Sequence, residues 1–205
     1  MDDLTAFVLA GGKSTRMGSD KAFVDFRGRT LLDRALEIAG TLTPEVLVVG
    51  ERSRFNGKAS VVEDVFRDRG PLGGIHAALS VTATELNLVL AVDLPFVSSG
   101  VLQYLVQRAR SSSALAVVPA SDEGWQPLCA VYRRAFLGHA ERALLQGKNK
   151  IDPLFQSIEV LPIREPELSQ QGFSAHTFRN LNTPADLEQA RGLRLPVSPK
   201  GAKLE

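Results

Sequence analysis

The feature that most narrows the possible folds is a series of short apolar runs separated by helical or Gly-rich segments. Residues 6–10 (AFVLA), 45–50 (EVLVVG), 60–64 (SVVED), 87–93 (NLVLAVD) and 114–119 (ALAVVP) have strand length and are mostly apolar. A strand wetted on one face alternates apolar and polar residues, whereas one covered on both faces does not. Between the runs, 30–40 (TLLDRALEIAG) puts Leu32, Ala35, Leu36 and Ala39 on one helical face and stops at Gly40. Residues 71–83 (PLGGIHAALSVTA) predict a short helix after a Gly-rich turn, and 101–110 (VLQYLVQRAR) a helix with Leu102, Leu105 and Val106 inward. This alternation predicts βαβ units, hence an α/β fold with three layers (α/β/α) and a mostly parallel twisted sheet. Residues 126–134 (QPLCAVYRR) follow a polar turn and break the rhythm, which makes them a candidate antiparallel strand.

A chain of 205 residues suits one domain with a core of its own. The expected division is a domain over 1–195 and a flexible C-terminal tail over 196–205, where prolines replace periodicity. Net charge is +1, so no global field draws the chain to nucleic acid or to a membrane surface, and neither is expected as a partner. The lone Cys129, in PLCAVY, reads as a buried strand thiol, and it has no internal disulfide partner. MDDLTAF does not resemble a targeting signal, and no apolar run nears the roughly 20 residues that span a bilayer. The expected location is cytoplasmic.

The densest motif is Val8–Ala22, VLAGGKSTRMGSDKA. Gly12-Lys13-Ser14-Thr15 copies the end of a phosphate-binding P-loop, and the acid-terminated strand LVLAVD imitates its companion Walker-B strand. A P-loop also needs a glycine five positions before the Gly-Lys pair. That position is Phe7, inside the first strand, so the wide loop cannot form. The remaining reading is a strand running into a tight turn at Ala10-Gly11-Gly12, where backbone N–H groups approach an anion or a base closely. Beyond the turn, the Arg16 fork and the Lys21 point charge can balance phosphate charge, and Lys13 is left facing solvent.

In open α/β sheets, ligands lie beyond the carboxyl ends of the strands. The residues just past the predicted ends are Gly11-Gly12, Gly50, Asp64 and Asp93. Asp93 precedes Leu94-Pro95, and it is either a hard oxygen ligand suited to Mg²⁺ or an ordinary turn aspartate. Asp64 is a site carboxylate or an ion-pair partner of Arg67 or Arg69, with Asp68 a weaker candidate beside it. Gly70, Gly73 and Gly74 permit a close backbone approach at a helix start. In NLNTPADL, Thr183, Pro184 and Asp186 have the pattern of a helix N-terminus, which leaves Asn180 and Asn182 unexplained. Trp125, Lys148 and Lys150 fit substrate contacts or plain surface positions. The three histidines lie on different elements and form no metal or catalytic cluster.

The chain resembles nucleotidyltransferases through LAGGKSTRMGSDKA, and molybdenum cofactor guanylyltransferases through GPLGG at 70–74, VDLPF at 92–96, QPLCAVY at 126–132 and NLNTP at 180–184. These motifs occur in order over nearly the whole chain. The resemblance implies a Rossmann-like nucleotidyltransferase fold and transfer of GMP from GTP to the terminal phosphate of molybdopterin or Mo-molybdopterin, releasing pyrophosphate. It implies catalytic roles for Arg16, Lys21 and Asp93, and nucleotide binding by Leu9, Ala10, Gly11, Gly12, Lys21, Asp64 and Asp93. It further implies Mg²⁺ on Asp93, acceptor binding by Gln126, Asn180 and Asn182, and transient contact with molybdenum-insertion proteins or apo-molybdoenzymes. Gly50 departs from relatives that carry asparagine there, which leaves one nucleotide contact open. Rival readings are a CTP-dependent or other small-molecule nucleotidyltransferase, and a non-catalytic GTP-binding cofactor carrier. LAGG rather than LAAG favours a purine.

Overall fold

The computed structural model describes residues 3–193 except 12–19, 56, 58, 67, 123 and 175. The signature residues Gly12, Lys13 and Arg16 and the expected tail at 196–205 therefore lie outside the described residues.

Among the described residues, eight strands form one sheet: β1 Leu4–Leu9, β2 Val46–Val49, β3 Ser60–Val62, β4 Leu86–Ala91, β5 Ala116–Ser121, β6 Gly124–Trp125, β7 Cys129–Arg133 and β8 Val160–Arg164. The order runs β3-β2-β1-β4-β7-β5-β6, with β8 also paired to β5. The β3-β2-β1-β4 half is parallel throughout. β7 is antiparallel to both β4 and β5, as its polar lead-in predicted, and β8 runs parallel to β5. No helix among the described residues is long and apolar enough to cross a membrane.

The unbroken apolar strands are explained by what covers them. In β1, Ala6 and Val8 enter one core while Phe7 and Leu9 enter the other. The first core packs against α1 (Leu31–Gly40) and α4 (Ser99–Arg110) through Leu31, Leu32, Leu102 and Leu105. The second packs against α3 (Gly70–Val81) and α5 (Leu137–Leu145) through Leu72, Ile75 and Leu144. Because strand side chains alternate between faces, burial on both faces favours apolar residues at successive positions, with the buried Thr5 and Asn87 as hydrogen-bonded exceptions. The three-layer expectation holds.

One local expectation needs correction. The Gly-rich turn expected before the helix is part of it: α3 begins at Gly70 and includes Gly73 and Gly74, which agrees with the reading of these glycines as a helix start. A Cβ on Gly73 would sit 2.9 Å from the Phe66 carbonyl oxygen, so the glycine lets the helix press against the preceding backbone. The other α-helices among the described residues are α2 Arg52–Phe55, α6 Asp152–Phe155, α7 Glu165–Gln170 and α8 Pro184–Gly192. α8 begins with a full capping box between Thr183 and Asp186, so those residues serve the helix, as their pattern indicates.

Candidate nucleotide and acceptor site

The carboxyl ends of β1, β2, β3 and β4 lead into Ala10-Gly11, Gly50, Asp64 and Asp93 respectively. Ala10 donates its N–H to the Val49 carbonyl at 3.0 Å, which holds the turn after β1 against β2. Leu9 and Ala10 are buried, whereas Gly11 is exposed.

The Asp20 side chain caps a short 3-10 turn, Lys21–Phe23. Lys21 Nζ donates to Asp93 Oδ2 at 2.9 Å and to Asn182 Oδ1 at 2.8 Å. One ammonium thus joins residues 72 and 161 positions away in sequence. The Asp93 Oδ1 atom is buried and has no hydrogen-bond partner. An orphaned carboxylate oxygen is costly in a folded protein, and it is a suitable ligand for a hard cation. The donor set therefore fits a divalent metal.

Asp64 has the same feature, a buried Oδ1 without a partner. Burial raises its carboxyl above the ordinary range, and nearby His76 offsets this in part. His76, on α3, is itself shifted down by burial, opposed by Glu141 and Asp64. Its ring meets Phe66 edge-on at 4.9 Å.

At Gly50 the structure gives a physical reason for the departure noted in the sequence. A Cβ there would lie 2.7 Å from Cε2 of the buried Phe55 ring and 3.6 Å from the Gly11 nitrogen. The ring occupies the space a longer residue would need.

Gln126 and Asn180, expected to bind the acceptor, line a cleft of about 610 Å³ together with Glu165, Phe173, Phe178 and Arg179. Asn182 is exposed like Asn180, with the buried Leu181 between them, the alternation expected of an extended segment. Asn182 reaches Lys21, so this segment joins the cleft to Asp93. Glu165, Phe173, Phe178 and Arg179 carry no motif and escaped sequence reasoning. Trp125 packs edge-on against Phe155 at 5.1 Å, which favours its packing role, and Lys148 and Lys150 are exposed in the segment after α5. Among the described residues, no group of histidine, cysteine and acidic side chains forms a metal cluster. Cys129 is fully buried, and burial pushes its thiol up to about 12.

A mixed sheet between two helical layers, with a glycine turn, a lysine and two carboxylates along one edge, is the architecture of a nucleotidyltransferase. The same fold occurs in a CMP-2-keto-3-deoxy-manno-octonic acid synthetase complexed with CTP, at a TM-score of 0.72 and 12% identity. Residues 6–160 match the model of the MobA-like NTP transferase domain, and the chain belongs to that family. A molybdenum cofactor guanylyltransferase of Desulfosudis oleivorans is 34% identical over 193 residues, covering 93% of this chain and 95% of the relative. A crystal structure of the molybdopterin-guanine dinucleotide biosynthesis protein A of Archaeoglobus fulgidus superposes with a TM-score of 0.81 at 30% identity. It covers 91% of this chain and 96% of that one.

Proposed function

We propose that the chain transfers GMP from GTP to the terminal phosphate of molybdopterin or its molybdenum form, yielding the guanine dinucleotide and pyrophosphate. The observation that carries the reading is the Lys21 ammonium bridging Asp93 and Asn182, which unites the nucleotide edge of the sheet with the acceptor cleft. The attacking group is a phosphate monoester whose second pKa is about 6, so it is largely ionised at neutral pH. It needs no protein base, and this suits a site whose close polar contacts are a lysine, a carboxylate and an amide. The task is to bring two polyanions together in line and to neutralise the charge that develops.

Lys21, with Arg16 from the signature, supplies positive charge for the phosphates. Leu9, Ala10 and Gly11, with Gly12 from the signature, bind the nucleotide, and Asp64 binds it from the end of β3. Asp93 would hold Mg²⁺, whose chemistry is to screen the phosphate oxygens and stabilise the departing pyrophosphate. Gln126, Asn180 and Asn182 orient the acceptor through amide hydrogen bonds. The reading carries a cytoplasmic setting, in keeping with an unpaired buried thiol, and transient contact with molybdenum-insertion proteins or apo-molybdoenzymes that receive the product.

The test is incubation with molybdopterin, Mg²⁺ and either GTP or CTP, followed by pyrophosphate release and mass analysis. GTP-dependent formation of the guanine dinucleotide is expected, and Asp93→Ala should abolish it while retaining the wild-type circular dichroism spectrum. Transfer from CTP at an equal or greater rate would overturn the guanine assignment. Near-normal transfer by Asp93→Ala would overturn the role of Asp93.

A further inference from the structure

The end of the signature loop is gripped from outside the site by α2. Arg54 Nε donates to Asp20 Oδ2 at 2.9 Å and Nη2 donates to Asp20 Oδ1 at 2.6 Å. This is a two-point fork, which fixes orientation as well as distance. The two side chains are 26% and 29% exposed, so solvent screens the pair only in part. Asp20 is also tied to the turn that follows it. Its Oδ1 accepts from the Ala22 N–H at 3.1 Å, and its carbonyl accepts from Phe23 N–H at 3.0 Å.

Phe55, the next residue of α2, supports the same contact from beneath. Its buried ring lies 5.7 Å from that of Phe23 and 5.0 Å below the Arg54 guanidinium. The same ring fills the space beside Gly50 and the Gly11 nitrogen. A single turn of helix thus touches both described flanks of the glycine loop, and Lys21 is the first residue after the gripped aspartate. The lysine stem has four rotatable bonds, yet its nitrogen must meet Asp93 and Asn182 within 3 Å. Fixing the backbone at Asp20 sets the point from which that stem reaches both partners before substrate arrives.

We propose that Arg54 is a positioning residue for the transfer reaction, acting through Asp20 to set Lys21 for the phosphates of the nucleotide. The proposal rests on the GTP-dependent reading above. The Arg54 fork goes to Asp20, and the effect of removing it is expected mainly on nucleotide capture.

The experiment measures steady-state GMP transfer and calorimetric GTP binding for Arg54→Ala, Arg54→Lys, Lys21→Ala and the Arg54→Ala/Lys21→Ala pair. Arg54→Ala should raise KM for GTP about tenfold, the scale of one charge-assisted interaction, with kcat changed by less than about threefold. Arg54→Lys keeps the charge but not the fork, and its KM should rise about threefold; it carries the test if the alanine variant does not fold. In the Lys21→Ala background, Arg54→Ala should weaken GTP binding no further. Arg110→Ala is the control, because Arg110 makes a matching fork to Asp3 at 3.0 and 2.6 Å on another part of the surface; its KM should equal that of the wild type. An unchanged KM in both Arg54 variants overturns the proposal, as does an equal loss of binding with and without Lys21. A wild-type chain that binds no GTP would instead refute the functional reading itself.

Discussion

Replacing Lys21 by methionine should have two effects of opposite sign. The ammonium sits 2.9 Å from Asp93 Oδ2, on the carboxylate that would hold the metal, so in the free protein lysine and metal compete for one charge. Methionine keeps most of the length of the stem and removes the competitor. Hydrogen bonds to charged groups contribute about 1.5–3 kcal/mol, whereas fully exposed ion pairs contribute about 0–1 kcal/mol. With side-chain exposures of 16% and 22%, this pair belongs near the low end of the first range. About 1.4 kcal/mol is a factor of ten, so metal affinity in the absence of nucleotide should rise about tenfold.

The assay is Mn²⁺ binding by electron paramagnetic resonance, with Mn²⁺ standing in for Mg²⁺ and no nucleotide present. Lys21→Met should bind Mn²⁺ about ten times more tightly than the wild type, and adding Asp93→Asn should remove the gain. GMP transfer by the same variant should fall by at least about a hundredfold, the usual scale for losing one charge-stabilising donor. Tighter metal binding with lost turnover separates lysine as competitor from lysine as catalyst. Mn²⁺ affinity that is unchanged or weaker in Lys21→Met would refute the competition.

Two further outcomes follow from buried groups. Gly50→Ala forces a Cβ to within 2.7 Å of a buried ring, and such overpacking costs about 1–3 kcal/mol; denaturant unfolding should show the loss, and wild-type stability would contradict it. Asp64 has its carboxyl raised by burial above the ordinary value of 3.8, so between that value and its folded one the native state holds a proton that the unfolded state releases. The stabilisation is complete below about pH 3.8 and is lost as pH rises through the folded value. Asp64→Asn should therefore melt higher than the wild type at pH 7, with a smaller difference at pH 4, while GTP binding weakens. A melting difference independent of pH would count against buried ionisation at Asp64.

The parts of the fold legible in the sequence are those whose burial is uniform along the element. β1 and β4 are buried along their whole length and apolar except at Thr5 and Asn87, and α1 and α4 carry their inward residues at helical spacing. β8 escaped notice because Pro162 interrupts Val160–Arg164, a residue tolerated where a strand pairs with one neighbour only. β6 is two residues long and leaves no periodic trace. In the site, Asp64 and Asp93 were found because the strand-end rule selects positions. Arg54 and Asp20 are 34 residues apart, on a short helix and a loop end, and a pairing of two ordinary surface-type charges leaves no local pattern. The acceptor cleft was visible only through Gln126 and Asn180, since Phe173 and Phe178 read as common apolar residues until α7 and the segment after it are in place.

The direction of β7 explains why the acceptor residues reach Asp93 at all. In a wholly parallel sheet, only residues following strands would meet at this edge. β7 runs against β4, with Cys129 opposite Leu90, so it is the start of this strand that lies beside the end of β4. Ala91 donates to the Leu128 carbonyl at 2.8 Å, and Gln126 donates to the Pro119 carbonyl on β5 at 2.8 Å. Gln126, a residue that precedes a strand, is thereby brought to the carboxyl edge. The NLNTP segment arrives there by a different bond, from the Leu181 N–H to the Asp93 carbonyl at 2.9 Å. With Leu181 buried, the amides on either side of it are held outward. Backbone pairing thus fixes the amides proposed for the acceptor to Asp93, the carboxylate proposed for the nucleotide and metal, and Lys21 closes the same connection through side chains. Asp93 is therefore connected to the Asn182 segment by two independent routes, one through backbone and one through side chains.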